Sequence, residues 1–94
     1  MDDKTKDFYA RLKESLENDK TWPRPYLYKF IVPSDSHKIA QVEEAFDGMK
    51  AEILTRNSST GKFTSVSVRV TMPSSQAIID KYLAVSTIEG IVSL

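Results

Sequence analysis

The sequence predicts an α+β fold: a ferredoxin-like βαββαβ sandwich with a four-stranded antiparallel sheet, two helices on one face, and an amphipathic helix in front. Three observations carry this prediction. Val66, Val68, Val70 and Met72 alternate with Ser65, Ser67, Arg69 and Thr71, the period-two pattern of a strand with one apolar and one polar face. Tyr26 to Val32 is aromatic and β-branched between Pro25 and Pro33, which reads as a second well-buried strand. Two helical segments follow capping residues: Ile39, Val42 and Phe46 after Ser34-Asp35-Ser36, and Ile78, Ile79, Tyr82 and Leu83 after Pro73-Ser74.

Residues 1–24 read as a leading helix and a proline-rich linker, and residues 25–94 as the domain. In the helix, roughly Asp3 to Asn18, Phe8, Leu12 and Leu16 stand four apart among Lys, Glu and Arg, giving one narrow apolar stripe. Asp2 and Asp3 suit the positive end of its dipole. An isolated helix of this length is marginal in water, so it must dock on something. From Lys20 to Pro25 two prolines forbid helix and favour extended chain, with Trp22 as the anchor.

Within the domain the first strand leads to a helix that stops at Asp47-Gly48. Ile53 and Leu54 stand side by side in the next strand, Lys50 to Asn57, which leaves its facing undecided and allows a β-bulge. Ser58-Ser59-Thr60-Gly61 is a turn cluster, and the valine-rich strand follows it. The last helix ends before a short closing strand, Gly90 to Leu94. In this topology the first and third strands are central, so Lys29 and the Ser65-Ser67-Arg69 row share the uncovered face.

Composition narrows the function. At 94 residues with 40% hydrophobic content there is enough for one core, and a domain of this size buries roughly 60 to 70% of the surface its unfolded chain exposes. Thirteen basic and thirteen acidic residues cancel, so no global field draws nucleic acid or anionic lipid. With no cysteine, disulfides, thiolate nucleophiles and cysteine-ligated metals are excluded. A polar start and no long apolar run predict neither a secretory signal nor a membrane span, and a cytoplasmic location.

No catalytic constellation emerges. His37, the single histidine, falls near a helix start with no carboxylate placed to orient it. Asp35, Asp47, Glu43 and Glu44 are accounted for as caps, termini and solvated faces. The expected protein is not an enzyme and uses no cofactor or metal. The candidate binding residues are Lys29, Ser58, Ser59, Gly61, Lys62, Phe63, Ser65, Ser67 and Arg69, with Arg56, Asn57 and Thr60 of the same hairpin, whose hydroxyls, amides and cations suit a carboxylate or phosphate, against the plain reading of a polar hairpin and solvated face. Leu27 and Ile31 form a candidate interface on the same face. Two occupants compete there: a second copy of the chain, or the leading helix folded back over it.

Pro25-Tyr26-Leu27-Tyr28-Lys29, Ser58-Ser59 with Gly61, and Phe63 with Ser65-Val66-Ser67 resemble the YbeD-like family of small bacterial proteins, over Pro25 to Leu94. The resemblance implies a ferredoxin-like fold close to the ACT regulatory domain and a regulatory role, and no reaction. Val32-Pro33-Ser34-Asp35-Ser36 has no glycine to let backbone amides wrap a ligand, which counts against acylphosphatase chemistry and against amino-acid binding in the ACT manner. The reading is thus a non-enzymatic regulatory or interaction module that binds a protein partner or small anionic effector on its open face, as a monomer or homo-oligomer. The alternative is a single-stranded RNA-binding module using Lys29, Arg69 and Phe63; outward Ser65 and Ser67, where such modules place aromatics, disfavour it.

Overall fold

The computed structural model describes residues 3–18 and 21–94. Its elements run α1 (Asp3–Asn18), β1 (Arg24–Pro33), α2 (Ser36–Glu44), β2 (Glu52–Asn57), β3 (Phe63–Met72), α3 (Ser75–Val85) and β4 (Val92–Ser93). The four strands form one antiparallel sheet in the order β2-β3-β1-β4, so β1 and β3 are central.

Alternation sorts the side chains of the two central strands. Tyr28, Phe30 and Val32 of β1 and Val66, Val68, Val70 and Met72 of β3 are buried on one face. There they meet Val42 of α2, Phe46 just beyond it, and Ile78, Tyr82 and Val85 of α3 in one core cluster. Burying each of these large side chains is worth about 1.5 to 3 kcal/mol over leaving it exposed. Buried polar atoms are matched: the Tyr28 hydroxyl donates to the Ile78 carbonyl at 3.1 Å, and the Thr64 hydroxyl donates to Asn57 Oδ1 at 3.1 Å.

Both helices start where their caps allow. The Asp35 carboxylate accepts from the His37 and Lys38 amides, and the Ser74 hydroxyl accepts from the Ala77 amide, each satisfying N–H groups that the first turn leaves without partners. Gly90, at φ +84°, lets the chain turn tightly into β4, because a Cβ there would come within 2.8 Å of Pro33 Cγ.

Two expectations are corrected. The apolar stripe of α1 is Tyr9, Leu12 and Leu16, which pack on the core cluster, while Phe8 is 60% exposed. The reason is that α1 lies along α3, where the Tyr9 and Tyr82 rings approach at 6.3 Å and the Ser75 hydroxyl donates to Glu17 Oε1 at 2.8 Å. Tyr9 therefore supplies the three-then-four spacing of the buried face. The helix joins the helical layer and is not the cover of the open sheet face. Second, β2 pairs with β3 without a bulge, in unbroken register from Glu52–Arg69 to Asn57–Thr64. Ile53 turns to the core and Leu54 to the open side, where it is 75% exposed.

Candidate functional site

The open face is assembled by register. Directly opposed residues in an antiparallel sheet share a face, so three rows can be read across the strands. Glu52 of β2, Arg69 of β3 and Leu27 of β1 form the first. Leu54, Ser67 and Lys29 form the second, continued by Leu94, whose amide donates to the Lys29 carbonyl at 2.9 Å. Arg56, Ser65, Ile31 and Val92 of β4 form the third.

Lys29, Ser65, Ser67 and Arg69 therefore stand together as the alternation requires, with Leu27 and Ile31 between them. A groove of about 610 Å³ crosses the second and third rows, lined by Lys29, Leu54, Arg56, Ser65, Ser67 and Leu94. Lys29, Arg56 and Arg69 make no ion pair or side-chain hydrogen bond with any described residue. Their charges meet one carboxylate on this face, Glu52, and stand among exposed Leu27, Leu54, Val92 and Leu94.

The hairpin candidates are differently engaged. The Ser58 amide donates to the Phe63 carbonyl at 2.8 Å, and the Ser58 hydroxyl accepts from the Phe63 amide at 3.2 Å. Thr60 Oγ1 accepts from the Lys62 amide at 3.4 Å, and Gly61 takes φ +75° to close the turn. Ser58, Thr60 and Gly61 thus hold the turn itself, while Ser59 and Lys62 are exposed at its tip. Phe63, 47% exposed, opens β3 beside Ile31, Arg56 and Ser65 in a smaller groove of about 220 Å³. It is the sole aromatic among the outward positions of the described strands.

Leu54, Glu52, Val92 and Leu94 were not among the sequence candidates. The signal that places them is the hairpin: once Ser58 and Phe63 close it, Leu54 must face Ser67. His37 is exposed, its amide held by the Asp35 cap. Among the described residues no three His, Asp or Glu side chains gather as a metal site, and no helix is long and apolar enough to cross a membrane.

On the opposite face, tyrosines crowd. The Tyr26 and Tyr82 hydroxyls lie 2.8 Å apart, and the Tyr28 and Tyr82 rings meet edge to face at 4.9 Å. Burial, and for Tyr82 also the bond to Tyr26, hold the Tyr28 and Tyr82 phenols well above the usual phenol range. These hydroxyls are neutral structural groups below strongly alkaline pH.

Fold and site together define a small α+β domain with one packed and one bare sheet face. The chain belongs to the family described as Protein of unknown function (DUF493), whose model matches residues 17–94, and this is the YbeD-like family that the sequence resembles. The match takes in the whole sheet, α2 and α3, and begins near the end of α1. No curated protein and no solved structure matched the chain.

Proposed function

We propose that this protein is a non-enzymatic regulatory or interaction module that uses the open sheet face to bind a partner presenting an anionic group beside apolar surface, either an acidic protein segment or a small anionic effector. One observation carries the reading: Lys29, Arg56 and Arg69 are left without ion pairs amid exposed Leu27, Leu54, Val92 and Leu94. Scattered surface leucines need no explanation, but apolar residues gathered on one open sheet face with unpaired cations match the make-up of a recognition surface. The cations would steer an acidic partner and fix its orientation, while the leucines supply buried area.

We read the domain from β1 to β4 as ferredoxin-like and related to ACT regulatory domains. The order β2-β3-β1-β4 with β1 and β3 central, and α2 and α3 on a single face, support that relation. A regulatory module of this kind transmits occupancy of its sheet surface to a partner and needs no reaction centre.

The test is recovery of partners from cell extract with wild-type protein and with the Lys29→Ala/Arg69→Ala variant, alongside native mass spectrometry for retained small anions. Partners or anions held by wild type and lost by the variant support the proposal. If the variant retains everything that wild type retains, the open face is not the binding surface. Salt-dependent retention of single-stranded RNA would replace this reading with the RNA-binding one.

A further inference from the structure

The two edges of the sheet are built differently. On the β4 side, β1 carries Pro25 next to its free stretch, and proline has no N–H to offer a neighbouring strand. On the other side β2 runs for six residues, Glu52 to Asn57, with no proline and no bulge, and no strand pairs with it beyond β3 among the described residues. Natural edge strands of this length are usually blunted.

The hydrogen-bonding phase of β2 can be worked out. Antiparallel partners alternate between bonded and non-bonded pairs. The Ser58 amide bonds to the Phe63 carbonyl, so the pairs two and more residues on, Arg56–Ser65, Leu54–Ser67 and Glu52–Arg69, direct their N–H and C=O groups at β3. Ile53, Thr55 and Asn57 direct theirs outward, toward the free edge.

We infer that this edge is the dimerisation strand: β2 of one copy pairs antiparallel with β2 of a second copy about a two-fold axis at Leu54. The side chains choose both the occupant and the register. With Leu54 facing the second copy's Leu54, Glu52 falls opposite the second copy's Arg56 and Arg56 opposite its Glu52, so each end of the pairing joins an acid to a base. The outward groups of Ile53 then meet those of the second copy's Thr55, and the reverse, as bonded pairs. Leu54 and the charged residues occupy non-bonded positions, where opposed side chains come closest. A slip of two residues either way sets Leu54 against a charged residue and undoes the acid–base match. A two-fold axis needs a self-complementary patch, and Glu52-Ile53-Leu54-Thr55-Arg56 is one.

The two-fold keeps both open faces on the same side. An eight-stranded sheet results, and the groove lined by Lys29, Leu54, Arg56, Ser65 and Ser67 runs across the axis into its copy. Arg56 is then paired to the second copy's Glu52, and Lys29 and Arg69 are left as the unpaired cations of each open face. Six residues a side make an interface below the standard size, so the dimer is weak, with a dissociation constant on the order of 10 to 1000 µM.

Sedimentation equilibrium of the whole chain up to about 1 mM tests this, with circular dichroism to confirm folding. Wild type is expected to dimerise. Glu52→Arg and Arg56→Glu alone each set like charges together twice and should weaken the dimer about tenfold or more, while the double variant Glu52→Arg/Arg56→Glu should regain wild-type association. Thr55→Pro removes an outward N–H that β3 does not use, and should give a folded monomer. A monomeric wild type across that range, or single charge variants that associate like wild type, would overturn the inference.

Discussion

The two faces of the sheet come from the same strands, residue by residue in alternation, yet they obey different rules. On the helix side, Tyr28, Phe30 and Val32 across from Val68, Val66 and Thr64 are buried to the last atom or nearly so, and polar groups there have partners. On the open side, Leu27, Lys29 and Ile31 across from Arg69, Ser67 and Ser65 are exposed or half-exposed, and their cations have none. Neighbours 3.8 Å apart along the chain thus differ in role: one set stabilises the fold, and the other takes no part in the core.

Substitutions that move along one strand from face to face break that contrast into numbers. The largest effect belongs to Phe30→Ala, which should cost about 3 to 5 kcal/mol in urea unfolding through lost burial and the cavity left behind. Alkaline titration comes next. Because the folded-state values of the Tyr28 and Tyr82 phenols are raised, their contribution is complete below the ordinary phenol value near 10 and is lost as pH climbs from there through the folded-state values. Stability should stay level on this account up to about pH 10 and then fall by at most about 1.4 kcal/mol per pH unit for each tyrosine. Tyr82→Phe should halve that slope in melts monitored by circular dichroism.

Smaller still is Tyr28→Phe, which removes the hydroxyl donated to Ile78 but keeps the ring, and should cost about 1 kcal/mol. Smallest is Ser67→Ala on the open face, expected to lie within about 0.5 kcal/mol of wild type in the same unfolding assay. If Ser67→Ala proved as costly as Tyr28→Phe, the open face would be serving stability and the division drawn between the faces would fail.

Much of this was legible beforehand because hydrophobic periodicity is a local signal. The valine alternation of β3 named its own buried face, and Asp35 and Ser74 marked the helix starts by chemistry that acts within one turn. Legibility ended where the signal was ambiguous over short range. Ile53-Leu54 offers two apolar neighbours to one buried face, and only the hairpin register with β3 decides that Ile53 goes in and Leu54 out. On α1 the four-residue spacing selects Phe8, and only the ring of Tyr82, on a helix some seventy residues away, brings Tyr9 in and leaves Phe8 exposed.

The sequence by itself determined which residues face together within β1, β3, α2 and α3, since the strand and helix periods are properties of a single stretch of backbone. Tertiary structure decided what each face meets: that α1 lies against α3 and leaves the sheet bare, and that Leu54, Arg56 and Leu94 come beside Lys29 and Ser67. Those juxtapositions depend on register and docking between distant segments, and no local period encodes them.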